Sequence, residues 1–296
     1  MFKSGSIFFK LLSLLILMLI STSFCLLVSN FFITSYFDIS MQNLDFFLSD
    51  YSSKKSILAL KIIQIASAFG IFIFPVLIFF KIYKMKLIYD LPNLKLVLLS
   101  ILIIFLGNGM VDLLFKINQL FPLSDWMISY EENAKIITQK FLIMSSFNDL
   151  LLNIFVIAIL PAIGEEILFR GLIQNSLIEN KINYLYSIVI TAIIFSAIHM
   201  QFAGFLPRLG LGILLGYIYF VTKNIWYPII CHFFNNFLIV FISYLSQNNL
   251  IQFQLDIDNY QLSNFTAVLF LASMIYLIFQ KKHEKAYGCR SLRSED

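Results

Sequence analysis

Six side chains in this 296-residue sequence have types and spacings suited to chemistry on water: Glu165, Glu166, Arg170, His199, His232 and Asn236. Glu165 and Glu166 stand together inside an apolar stretch running from Leu151 to Leu172. An ionised carboxylate at bilayer depth costs about 2.5 to 3.5 kcal/mol by insertion measurements, so an adjacent pair marks a functional site by default. In a helix Glu166 and Arg170 are four apart and share a face, while Glu165 is rotated by about 100° and points elsewhere. Arg170 can therefore hold Glu166 as a structural ion and leave Glu165 to exchange protons. A Glu-Arg pair that merely locks two helices is the plain alternative, but it gives Glu165 no partner.

Partners for the extra charge must come from other spans. His199 ends the run Phe195-Ser-Ala-Ile-His199, and His232 opens His232-Phe-Phe-Asn-Asn236. The four-residue spacing puts His232 and Asn236 on one helix face, with Asn235 close beside. A single histidine in a membrane helix is commonly a hydrogen-bonded packing residue. Two histidines together with two Glu, an Arg and an Asn are better satisfied as one cluster, because each left alone in hydrocarbon costs free energy.

Such a cluster supports activation of water. A desolvated carboxylate is a usable general base, and histidine can share that role. A second histidine and an asparagine amide are suitable donors to an oxyanion developing on an attacked carbonyl. The implied reaction is hydrolysis of an amide, with water as nucleophile, since no Ser or Cys has an adjacent base in a recognisable setting. Zinc is an open alternative: Glu165, His199 and His232 are a ligand set of a known catalytic kind. The HExxH helix signature is absent, and the water mechanism requires no cofactor.

The elements that position these residues are transmembrane helices. The composition is 59% hydrophobic and only 13% charged, with 33 Phe, far from the roughly 25% charged residues of a soluble domain. Apolar runs predict spans near 11–33, 57–80, 94–115, 148–176, 184–200, 205–222, 225–245 and 262–280, an all-α polytopic bundle of about eight helices around a buried polar site. Charge is read as confined to span edges. The first run is too long for a secretory leader and is taken as a span. Pro161 and Gly164 are expected to loosen the helix just before the glutamates. The loop from Lys116 to Asn148 carries an apolar periodicity expected to form an amphipathic helix at the outer interface. Lysines at 3, 10, 81, 84, 86 and 95, and the basic tail from Lys281 to Arg293, put both termini on the cytoplasmic side by the positive-inside rule. These clusters flank spans and lack the aromatic interleaving of a nucleic-acid surface, so the expected partners are the lipid bilayer and a peptide or protein substrate. Cys25, Cys231 and Cys289 have no paired spacing, which excludes a disulfide framework or a CxxC site. The chain divides into N-terminal spans with the outer loop (1–144), a catalytic core (145–245), and a last span with a charged tail (246–296).

Taken together the residues resemble the CAAX protease and bacteriocin-processing family of intramembrane endopeptidases, also called CPBP or Abi proteins. The family pattern is Glu-Glu-x-x-x-Arg, then Phe-x-x-x-His, then His-x-x-x-Asn. It is met by Glu165, Glu166 and Arg170, by Phe195 and His199, and by His232 and Asn236, with Phe169-Arg170-Gly171, Gly212 with Gly216, and Trp226-Tyr-Pro228 matching alongside. The similarity covers about residues 145–245. The resemblance implies that Glu165 acts as base on water with His199, that Glu166 and Arg170 support it, and that His232 with Asn236 stabilises the oxyanion. It also implies a membrane protease of the type that includes CAAX endopeptidases and has been labelled metalloprotease. A proton-coupled transporter, extended through Asn108 and Asp112, is the rival reading from another class. A non-catalytic bacteriocin-immunity protein of the same fold is a third. The abundance of Phe, Ile, Asn and Lys points to an AT-rich, bacterial source and a bacterial cell membrane.

Overall fold

A computed structural model describes residues 7–250, apart from 86 and 88 and the side chain of Asn108. The predicted span at 262–280, with Lys3, His283, Cys289 and the basic tail, lies outside the described residues. Within them every regular element is helical. We number the helices α1 (Ile7–Phe37), α2 (Leu44–Ser49), α3 (Lys54–Tyr83), α4 (Leu94–Asn118), α5 (Asp125–Phe141), α6 (Phe147–Glu179), α7 (Tyr184–Ile198), α8 (Phe205–Thr222) and α9 (Trp226–Gln247). Six of these, α1, α3, α4, α6, α8 and α9, are long and apolar enough to cross a membrane. The protein is an all-helical, polytopic integral membrane protein.

One span departs from its sequence-based boundary. The expected helix at 184–200 ends at Ile198, giving only 15 residues, fewer than the about 20 needed to cross hydrocarbon untilted. Its end is set by the backbone: Met200 takes φ 53°, the left-handed region, and its N–H reaches back to Ala197 O at 3.0 Å. His199 therefore lies in the turn after α7 and not within it. The loop helix expected between residues 116 and 148 is α5, which leaves Trp126, Ile128, Tyr130 and Ile136 exposed.

The helices fall into two compact units that interleave along the chain. The first takes in the described residues up to Leu87, then Leu123–Ser187, then those from His232 onward. Lipid tails are as apolar as leucine, so helices in a membrane associate through close packing and polar contacts. In this unit the close packing is built on glycines. A Cβ on Gly70 of α3 would sit 2.6 Å from Thr22 Cα of α1, and a Cβ on Gly164 of α6 would sit 2.7 Å from Phe72 Cβ of α3. Ser21 Oγ of α1 donates to Gly70 O at the same crossing. Ser146 and Asp149 start α6 with a reciprocal capping box, and Gln247 of α9 ties down the preceding turn through Met144 N–H and Leu142 O.

The second unit takes in the described part of Ile88–Pro122 and all of Ile188–Cys231. Its core packs Ile103 and Ile104 of α4 against Leu214, Leu215 and Ile218 of α8, with Tyr227 and Cys231. Asn118, at the end of α4, holds the loop after His199 at two points: its Nδ2 donates to Phe202 O and its Oδ1 accepts from Leu206 N–H, at 2.9 and 2.8 Å.

The α1–α3 crossing has a direct test. Gly70→Ala should lower the melting temperature in detergent and cost on the order of 1 to 3 kcal/mol, because the added methyl meets backbone. Gly210→Ala should cost less, since its methyl meets the rotatable end of Leu114. Equal melting of the two variants would show that α1 and α3 do not touch at Gly70.

Candidate active site

The glutamates sit where α6 changes its winding twice. A short α-helical stretch, Leu160–Glu166, is bracketed by π-helical segments at Ile154–Ile159 and Ile167–Gln174. Pro161 supplies the cause on the first side. Proline has no N–H and its ring collides with the carbonyl four residues back, so the turn before it widens. Leu160 N–H accordingly reaches Phe155 O, five residues back. Such wide turns are frequent at functional sites and shift the side chains beyond them round the helix.

Glu166 and Arg170 are fully buried, Glu165 is 7% exposed and His232 4%. Arg170 Nη1 donates to Glu166 Oε1 at 2.8 Å, realising the four-residue spacing as a buried ion pair. The same oxygen lies 2.7 Å from His232 Nδ1. A carboxylate already gripped by a guanidinium is an acceptor, so Nδ1 of His232 carries a proton and donates. That fixes the ring: Nε2 is turned to Glu165, 4.0 Å from its Oε2. Glu165, Glu166, Arg170 and His232 thus form one buried cluster on α6 and α9. Two carboxylates, one guanidinium and one imidazole are thereby gathered in one buried place.

Asn236 lies one turn beyond His232 on the same face of α9, but it does not reach the carboxylates. Its Nδ2 donates to Ile157 O of α6 at 3.1 Å, and its Oδ1 accepts from Asn235 Nδ2 at 3.3 Å. His199 belongs to the second unit. Its Nδ1 lies 2.7 Å from Phe195 O, one turn back, and its ring packs edge-on to Phe195. A carbonyl can only accept, so Nδ1 holds a proton and donates it.

Several polar residues of this unit were not singled out from the sequence. Lys61, within α3, is only 5% exposed and lies 5.6 Å above the Phe141 ring, so charge is not confined to span edges. Gln174 lies one turn past Arg170 and is fully buried. Asn153 is fully buried near the start of α6, with its amide donating to Phe141 O. The available signal was the same in each case: a polar residue inside an apolar run must have an internal partner. Among the described residues no three His, Cys, Asp or Glu gather as a metal-holding group. The bond from His232 Nδ1 to Glu166 leaves Nε2 as the nitrogen of that ring open to a further partner.

Residues 147–238, which include all six candidate side chains, match the family described as "Type II CAAX prenyl endopeptidase Rce1-like". The chain is 35% identical over 89 residues to a Bacillus subtilis (strain 168) protein named "Putative membrane peptidase YdiL". The aligned region is 30% of this chain and 36% of that relative, so the chain spans about a third of the relative's length. No solved structure matches the chain.

Removing one member of the buried pair should be worse than removing both. Arg170→Met should destabilise by about 3 to 5 kcal/mol, because Glu166 is left as a poorly compensated buried charge. Adding Glu166→Gln should restore part of that loss, since the amide oxygen still accepts from His232. Thermal unfolding in detergent reads both, and a single variant that melts with the wild type would rule out Arg170 as the counter-ion.

Proposed function

We propose, from the premise that residues 147–238 are an Rce1-like segment, that this chain is an intramembrane endopeptidase cleaving a membrane-associated peptide or protein with water. One observation carries the reading. Glu166 holds both Arg170 and His232 through a single oxygen, which aims His232 Nε2 at Glu165 across 4.0 Å. That distance is too long for a direct hydrogen bond and suits one bridging water. Two hydrogen bonds of about 2.8 Å span it with an angle of about 90° at the oxygen.

The steps follow from the proton count. Glu165 takes a proton from water, and the resulting hydroxide attacks the scissile carbonyl carbon. Negative charge develops on the carbonyl oxygen, and protonated His232 donates to it from Nε2. Collapse breaks the C–N bond, and the proton held by Glu165 passes to the leaving amine. One water is consumed, one acid and one amine are released, and the cluster returns to its starting charge. Arg170 and Glu166 touch no reacting atom; they hold His232 in one tautomer and one orientation. Glu165 and His232 accomplish this by proton transfer alone. His199 enters the proposal from the family resemblance and not from the geometry. Both termini and the cut lie on the cytoplasmic side, and the source is bacterial. The substrate is accordingly a peptide segment near the inner face, with no requirement for a prenyl group.

Purified protein in liposomes, incubated with peptide libraries and read by mass spectrometry, tests the mechanism. Glu165→Gln should lower the cleavage rate by about 10²- to 10⁴-fold, the usual contribution of a positioned base, while melting close to the wild type. Unchanged cleavage in Glu165→Gln and His232→Ala would sink the mechanism. Proton flux that depends on Glu165, in the absence of any cleavage, would replace it with transport. Peptides that accumulate in a deletion strain and vanish on complementation identify the substrate.

A further inference from the structure

We infer that Asn236 is a positioning residue whose side-chain amide stands in for the helical N–H that Pro161 lacks. The inference rests on the endopeptidase reading for its activity measurements and on geometry alone for the rest. Ile157 lies in the π-wound turn, where carbonyls pair five residues on, and the return to α winding, where they pair four on, crosses position 161. Residue 161 is proline and supplies no N–H in either register, so a carbonyl at the crossing lacks its helical donor. Asn236 Nδ2 donates to the Ile157 carbonyl at 3.1 Å, from a different helix. Backbone groups freed in a membrane helix are costly unless a side chain or neighbouring helix satisfies them.

The contact also explains the four-residue spacing of His232 and Asn236. Both side chains leave the same face of α9. His232 reaches Glu166 and Asn236 reaches Ile157, so numbers rise along α9 as they fall along α6 and the two helices run antiparallel here. The two bonds bracket the Leu160–Glu166 stretch from both sides: one at its last residue, the other at the wide turn that precedes it. Asn236 thereby fixes where Glu165 points without approaching the reacting atoms. Asn235 completes the arrangement by donating to Asn236 Oδ1, which leaves the amide hydrogens aimed at α6.

This role differs from direct stabilisation of an oxyanion, and a proline replacement separates the two. Asn236→Leu should lower kcat by about 100-fold, the loss that a misplacement of about 1 Å can cause, with KM nearly unchanged. Pro161→Ala restores an N–H at position 161, and in the Asn236→Leu background it should recover kcat to within about threefold of Pro161→Ala alone. The second readout needs no substrate. The ¹⁵N resonances of the His232 imidazole report its hydrogen bond to Glu166; they should shift in Asn236→Leu and return in the double variant. Loss of kcat without rescue, with the His232 resonances undisturbed, would assign Asn236 to the substrate and overturn the inference. If the wild-type protein cleaves nothing, the endopeptidase reading fails, and the resonances alone decide the positioning role: no shift in Asn236→Leu overturns it.

Discussion

A single oxygen, Oε1 of Glu166, organises the centre of the first unit. It accepts from Arg170 at 2.8 Å and from His232 at 2.7 Å, at zero solvent exposure. A buried ion pair of this kind adds little net stability over a well-packed apolar core, because desolvation offsets much of the attraction. Its effect is on specificity. Any arrangement of α6 and α9 that separates His232 from Glu166 leaves charged or polar groups unpartnered in a medium that cannot solvate them. The register of α9 against α6 is therefore fixed, and with it the orientation of the imidazole. The geometry at Glu165 is a consequence of the bond made at its neighbour.

Glu165 and Glu166 share one α-helical stretch and leave it about 100° apart, yet His232 of α9 lies between them, 2.7 Å from one and 4.0 Å from the other. α6 departs from regular winding on both sides of the pair. Pro161 forces the first departure, and Asn236 of α9 bonds the Ile157 carbonyl in that turn. Gly164 keeps the opposite side of the same turn flat, so that Phe72 of α3 packs within van der Waals range of backbone. The irregular turn is thus supported from α3 and from α9. A loosened helix at bilayer depth persists only where protein surrounds it.

How much of this the sequence discloses depends on the range of the interaction. Apolar runs locate the spans well, because hydrophobic length is a local property; seven of the predicted spans correspond to helices in the described residues. The Glu166–Arg170 pair is legible for the same reason, being a four-residue contact within one helix. The helix expected at 184–200, α7, ends two residues early because a left-handed Met200 closes it, and methionine gives no sequence signal for that conformation. The His232–Glu166 bond spans 66 positions, and no periodicity reports which carboxylate a distant histidine will choose. Family resemblance groups His232 with Asn236 as an oxyanion pair. In the structure the two side chains diverge, one to a carboxylate and one to a backbone carbonyl. Lys61 was hidden by a different effect: besides Lys54, Lys55 and Lys81 near the ends, one cation within a 30-residue helix barely changes its apolar character, yet the residue is buried and stacked on Phe141.

The strongest argument that the cluster does more than hold helices together is its charge. A structural lock is complete with Glu166, Arg170 and His232: one anion, one cation and a neutral ring that donates once. Glu165 adds a second buried carboxylate, which the lock itself does not use. Its Oε2 and His232 Nε2 face each other at 4.0 Å. The proposed endopeptidase gives the two groups opposite tasks, a proton taken from water at Glu165 and one donated to a developing anion at His232. Glutamine at position 165 would fill the same space, and a carboxylate there is what the proposed proton transfer needs and packing does not.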